Sequence, residues 1–380
     1  MKAFRTKGAD LPVKIRIHEN QKEKAMRILR TAVPGLMLSL FSLVVSAQAP
    51  KNGVVAELIP VRVGIVNSSA DTGFFIADKR GYFREEGLVV VFTPFNSAAT
   101  MVAPLGAGQL DVGGGSPSAG LYNAVARGIS IKIVADKGST PPGYGNQPLL
   151  VRKDLIDSGR FKSLKDLRGM KIAGSAPGSA STSTLNEILK KAGLKTADVE
   201  RIFMGFPQHV MALQNKAVDA SLTTEPSATT ALQSGAAVKV IGDDEVYPNH
   251  QLSVVLYAGS FIQEKPEVAR RFMRAYLRGV RDYNDALKDG KLAGANATEV
   301  ISILTEYTLV KNPDVYRAIT PNGCNPNGRV NMSSLDKDLQ FFKDEGLIQG
   351  QVNMSQVVDH SFVVAALKDL GPYQPKRSNQ

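Results

Sequence analysis

The sequence contains no tryptophan, one cysteine and four histidines in 380 residues. Without Trp, one common platform for stacking sugars or bases is missing. The lone Cys324 cannot form an internal disulfide, and no motif around it marks a nucleophile. His18, His209, His250 and His360 are scattered, and no pair has the spacing of metal ligands. Gly106-Ala107-Gly108 is not followed by the further glycine that a dinucleotide fingerprint needs, and Gly174–Ser179 lacks the lysine of a phosphate-binding loop. These absences count against metal, nucleotide and nucleophilic chemistry, and no cofactor is expected. What remains is ordinary for a soluble globular protein: 43% hydrophobic and 21% charged residues. The length favours two lobes or domains over one.

The N-terminus reads as a leader. Met26-Arg27-Ile28-Leu29-Arg30 supplies a basic start, and a mainly apolar run follows from Ala32 to Val45. Val45-Ser46-Ala47 and Ala47-Gln48-Ala49 both offer small-residue cleavage sites, although Pro50 disfavours the second. The apolar run is too short to span a bilayer, so residues 1–47 are expected to be a signal peptide. Met26 is the expected start, with 1–25 an extension ahead of it. No Cys stands near the cleavage site, so a lipoprotein is not expected. Residues 1–47 hold nine Lys/Arg and three Asp/Glu, leaving the mature chain about +5 of the formal +11. That balance suits an anionic small ligand. The clustered cationic and aromatic positions of a nucleic-acid binder are not evident.

Beyond the leader the chain says nearly the same thing twice. Val61–Val66 leads into Asn67-Ser68-Ser69-Ala70-Asp71-Thr72-Gly73 and a helix; Met170–Gly174 leads into Ser175-Ala176-Pro177-Gly178-Ser179-Ala180-Ser181-Thr182 and a helix. Leu110-Asp111-Val112-Gly113 is answered by Val218-Asp219-Ala220-Ser221. Strands are expected at 61–66, 88–92, 110–112 and 129–135, each joined to the next by a helix. Repeated β-then-α units of this length predict an α/β fold, each lobe a mainly parallel sheet flanked by helices. Leu149-Leu150-Val151 and Ser253-Val254-Val255-Leu256-Tyr257 read as two crossing strands, hence two hinge crossings. The expected lobes are 60–148 plus 253–370, the latter largely helical, and 149–252.

Unpaired backbone N–H groups at a helix start attract anions, and Ser or Thr hydroxyls add donors without bulk. Ser68, Ser69, Asp71 and Thr72 from one half, with Ser175, Gly178, Ser179, Ala180 and Ser181 from the other, are therefore candidate ligand contacts. Taken singly such residues more often only cap helices; their occurrence in both halves favours a ligand. Gly113-Gly114-Gly115-Ser116 is expected to be a loop at a strand's C-terminal end, serving either close backbone approach to a ligand or a tight turn. Asp219 and Glu225 could meet a ligand or serve as helix N-terminal acids. Arg270, Arg274, Arg278 and Arg281 form a basic ridge, a solvated face more often than a docking surface.

Gly81-Tyr82-Phe83-Arg84-Glu85-Glu86-Gly87-Leu88 and Ala107-Gly108-Gln109-Leu110-Asp111-Val112-Gly113 resemble the nitrate/sulfonate/taurine and thiamine-pyrimidine-precursor family of solute-binding proteins. Leu164–Ala173, Val218-Asp219-Ala220 and Glu225-Pro226 fit the same pattern. The resemblance covers about residues 60–370. It implies a two-lobed periplasmic-binding-protein fold (type II-like) that closes on a small organic anion and delivers it to an ABC permease and its ATPase. Ligand contacts would come from loops matching Ser68–Thr72, Ser97–Ala98, Gly115–Ser116, Ser175–Ser181 and Glu225. It further implies a periplasmic monomer that neither binds nucleic acid nor touches the membrane except through the permease. Two alternatives stand beside this expectation. One is the same scaffold binding a pyrimidine or other heteroaromatic, with Tyr82, Phe95, Tyr122 or Tyr144 stacking. The other is an exported enzyme related to pyrimidine-precursor synthases, whose Cys-rich signature is missing here.

Overall fold

The computed structural model describes residues 57–376. The expected leader, its start at Met26 and its cleavage near Ala47 or Ala49 lie outside the described residues. Ten strands build two five-stranded sheets. The first takes β1 (Ile59–Ile65), β2 (Leu88–Pro94), β3 (Val112–Gly115), β4 (Ile131–Gly138) and β10 (Ser253–Ala258). The second takes β5 (Leu149–Arg152), β6 (Lys171–Gly174), β7 (Glu200–Phe203), β8 (Ala220–Leu222) and β9 (Ala237–Ile241).

The orders are β2-β1-β3-β10-β4 and β7-β6-β8-β5-β9. β1 runs parallel to β2 and β3, and β6 parallel to β7 and β8. The reversed strand of the first sheet is β10, antiparallel to β3 and β4; that of the second is β5, antiparallel to β8 and β9. A chain leaving one sheet for the other arrives heading the opposite way, so each sheet is mixed rather than purely parallel.

The echo in the sequence has a physical cause. Asp111 accepts the backbone N–H of Arg62 at 2.8 Å and returns its own N–H to the Arg62 carbonyl at 3.0 Å. Asp219 does the same with Lys171, at 2.9 and 2.8 Å. In both sheets an aspartate just ahead of a central strand closes the ladder to the strand beside it. Asp219 therefore sits at a strand's N-terminal end and serves register. Asp111 is also gripped by the Arg62 guanidinium at 2.8 and 2.9 Å. Burial pushes its carboxyl up, but these bonds prevail and hold it below the usual carboxylate range.

Both faces of the second sheet are covered. Leu149, Val151 and Ile172 face one apolar cluster, while Leu150 and Ala173 face another, following the two-residue alternation of a strand. Against the first sheet lies the 21-residue helix Pro266–Ala286, opened by its proline. Phe272, Met273, Tyr276, Leu277 and Val280 fall on one side of it and are buried, as helical periodicity requires. It packs on the helix Thr72–Lys79 so closely that a Cβ on Gly279 would lie 2.2 Å from the Gly73 carbonyl oxygen. The arginine ridge on its outer side is neutralised within the chain: Arg270 pairs with Glu267, Arg274 with Glu86 and Asp369, and Arg278 with Glu85. Arg281 donates to the carbonyls of Pro326 and Leu370. No helix among the described residues is long and apolar enough to cross a membrane.

Candidate functional site

A cavity of about 50 Å³ opens where strand ends of the two sheets meet. Val66 follows β1, Ser97 and Ala98 follow β2, and Gly115 and Ser116 stand at the end of β3. From the second sheet come Ser175 after β6, Phe206 after β7 and Thr224 after β8. The carboxyl ends of parallel strands are where open α/β sheets hold ligands, because loops and helix N-termini converge there. Asn146, Gln147, Leu252 and Ser253 complete the wall from the starts of the two reversed strands.

Loops of the two sheets bond to each other around this cavity. Ser69 N–H donates to the Glu225 carbonyl at 3.0 Å, and Ala119 N–H to that of Gly178 at 2.8 Å. Ala180 N–H donates to Ser116 Oγ at 2.8 Å, and Ser118 bridges Ser179 through backbone. Asn146 Nδ2 donates to Thr224 Oγ1 at 3.2 Å and reaches Ser69 Oγ at 3.5 Å.

Ser68, Ser97, Ala98, Gly115, Ser116, Ser175 and Ser181, all named from sequence, line the cavity. The others lie behind or beside it. Thr72 Oγ1 donates to the Ser69 carbonyl and Ser179 Oγ to the Ala176 carbonyl, so both hydroxyls serve their own turns. Ser179 also touches Ser181 at 3.1 Å, and Ser181 touches Ser175 at the same distance. Gly178 and Ala180 contribute through the backbone bonds above. Asp71 accepts the N–H of Ser68 at 3.0 Å and forms an ion pair with Lys137 at 2.8 Å, both side chains fully buried.

Glu225 is a helix N-terminal acid. Its carboxylate accepts the Thr229 N–H and hydroxyl, each at 2.9 Å, and burial pushes its pKa up. The glycine run is not a loop, because Gly113, Gly114 and Gly115 belong to β3. Neighbouring side chains account for them: a Cβ on Gly115 would lie 2.3 Å from Ala98 Cβ, and one on Gly114 would lie 2.7 Å from Lys137 Cε.

Among the described residues the wall is hydroxyl-rich and holds no charged side chain. No acceptor among the described residues takes up the hydroxyl protons of Ser68, Ser97 and Ser253, whereas Ser116 donates to the Pro117 carbonyl at 2.9 Å. The ring on the wall is Phe206; Tyr82, Phe95, Tyr122 and Tyr144 do not reach it. Elsewhere Cys324 is buried, which pushes its thiol well up, and His209 is held neutral by burial, down to about 4. Sequence reasoning missed Val66, Ala70, Asn146, Gln147, Phe206, Thr224, Leu252 and Ser253. The usable signal lay in topology: a strand crossing between sheets must begin beside the cleft, which places Gln147 and Ser253 there.

The model of the NMT1/THI5-like family matches residues 68–288, more than half of the chain. Among relatives, a binding protein of Brucella abortus (strain 2308) is 29% identical over 235 residues, covering 61% of this chain and 69% of its own. The taurine-binding periplasmic protein of Escherichia coli K12 is 25% identical over 328 residues, covering 81% and 94%. Solved structures share the fold. The alkanesulfonate-binding protein of Xanthomonas axonopodis pv. citri, bound to MOPS, superposes with a TM-score of 0.64 at 18% identity, covering 80% and 99%. The nitrate-binding protein of Synechocystis PCC 6803 gives 0.67 at 14%, covering 84% and 93%. A desulfurization enzyme shares the fold more distantly, at 0.55 and 16%, covering 82% of this chain and 99% of its own. The chain belongs to the NMT1/THI5-like family, whose fold here is two mixed α/β sheet lobes with a hydroxyl-lined cavity at their strand ends.

Proposed function

We propose that this protein is the periplasmic receptor of an ABC importer, capturing a small organic or inorganic anion and handing it to a permease driven by an ATPase. The observation that carries the reading is the cavity itself, small, hydroxyl-lined and shared between strand ends of two sheets. A cavity lined by short hydroxyl side chains suits the oxygens of nitrate or of a short sulfonate or carboxylate. Hydroxyls and helix-start N–H groups stabilise an anion by donation alone, without a fixed counter-charge on the wall.

In this reading the lobes comprise 60–148 with 253–370, and 149–252, and the protein acts as a monomer without catalysis. Ligand binds one lobe, and contacts from the other then favour closure. The relatives named as taurine-, sulfonate- and nitrate-binding support the anion class.

A thermal-shift panel of nitrate, methanesulfonate, acetate, a pyrimidine and a flavin tests the proposal on the mature chain. A true ligand at about 100 times its dissociation constant stabilises the fold by roughly 2.7 kcal/mol. The small anions should raise the transition. A shift confined to the cyclic compounds would refute the anion class.

A further inference from the structure

We infer that Lys137, buried behind the cavity wall, fixes Ser253 as a hydroxyl donor to the ligand and thereby makes the site prefer an anionic oxygen to a neutral group. This rests on the anion reading above and names the source of its charge preference. Lys137 Nζ lies 2.8 Å from Asp71 Oδ1 and donates to Ser253 Oγ at 3.1 Å. Ser253 lines the cavity; Lys137 does not. A hydroxyl has one proton and two lone pairs, so once the ammonium occupies a lone pair the proton is left to point elsewhere. Among the described residues no acceptor takes that proton, and the cavity is the space on the exposed side of the serine.

The ammonium also sharpens the donor. A hydroxyl that itself accepts from a cation is polarised and donates more strongly, and the effect grows where water is excluded. Asp71 does not cancel this at the wall, because its second oxygen is turned to the backbone, accepting from Ser68 N–H at 3.0 Å and Val66 N–H at 3.3 Å. One carboxylate thus pins two wall residues and anchors the lysine. The fold keeps room for the lysine stem at Gly114, whose missing Cβ would lie 2.7 Å from Lys137 Cε. A pair that served stability alone would need no hydrogen bond to the cavity lining, and neutral replacements of similar volume often leave stability intact.

The test compares dissociation constants for methanesulfonate and its neutral isostere methanesulfonamide, by calorimetry on the mature chain. Four proteins are measured: native, Ser253→Ala, Ser253→Thr, and the double variant Lys137→Met with Asp71→Asn. The native protein should favour the sulfonate. Ser253→Ala should weaken sulfonate binding on the order of ten-fold while the sulfonamide changes little. Ser253→Thr, which keeps the hydroxyl, should restore it. The double variant should lose the sulfonate preference although it still folds. A native preference that survives Ser253→Ala or the double variant overturns the inference and leaves the anion reading standing; equal losses for both probes do the same. A native protein that binds no anion overturns the anion reading and this inference together.

Discussion

Thr184 Oγ1 lies 3.0 Å from His250 Nδ1, and the same ring places Nε2 2.8 Å from Asp338 Oδ2. The carboxylate partners Nε2, and the threonine hydroxyl, able to donate or accept, partners Nδ1. Thr184 is one turn along the helix whose start forms the cavity wall, while Asp338 sits on the helix Met332–Asp344 of the C-terminal region. All three side chains are buried. A second tie runs beside them, Lys337 to Glu187 at 2.9 Å.

Thr184→Val keeps the volume and removes the hydroxyl, stranding a buried ring nitrogen. The expected cost is about 1–3 kcal/mol, read as a lower urea midpoint at unchanged slope. An unchanged midpoint would mean that the hydroxyl and the ring do not depend on each other.

Gly115→Ala tests the close approach of two wall segments. The new Cβ would meet Ala98 Cβ at 2.3 Å, with the Ala98 Cα at 3.1 Å, and alanine has no side-chain torsion with which to move away. Overpacking of this kind costs about 1–3 kcal/mol, and the displaced wall should abolish the ligand-induced thermal shift. Gly120→Ala is the contrast. Its nearest neighbour is Ser118 Oγ at 3.8 Å, so it should be neutral or raise the apo transition slightly. Native ligand binding by Gly115→Ala would show that the wall tolerates what the geometry forbids.

Burial pushes Asp243 up to about 7, with the Asp244 charge adding to the rise and the Gln147 N–H bond opposing it. A carboxyl raised in the folded state binds its proton more tightly there than in the unfolded chain. Its favourable contribution is therefore full below about pH 4 and disappears as pH rises towards 7. Asp243→Asn should be stabilising at pH 8, on the order of 2 kcal/mol, with the gain shrinking steadily as pH falls and gone near pH 4. Chemical unfolding of both proteins across that range is the check. A difference independent of pH would rule out the carboxyl as the titrating group.

Much of the cavity's lining was legible because short-range chemistry announces it. Ser68 and Ser175 follow apolar strands and precede helices, a pattern set within a dozen residues. What sequence could not supply were distances across the chain. Gly113–Gly115 reads as a turn because a glycine run has no strand propensity; it is a strand because Leu105, Lys137 and Ala98 occupy the space its side chains would take. Asp219 and Glu225 looked available to a ligand, yet each carboxylate is spent on backbone N–H groups fixed by the fold. Asn146 and Gln147 escaped notice because they follow the turn cluster Pro141–Gly145, and only the crossing brings them to the cavity.

The placement of β10 between β3 and β4 bears on how the molecule is made. β3 and β4 are complete by residue 138, yet the strand that joins them begins at residue 253. An emerging chain carries an unfinished sheet with two open inner edges while the whole of the second sheet, residues 149–241, is still to come. Closing so long a loop is slow, and the exposed edges can pair wrongly in the interval. Truncation between residues 242 and 252 should yield a chain that can complete its second sheet but not its first, a species that chaperones and proteases would meet as unfinished rather than damaged.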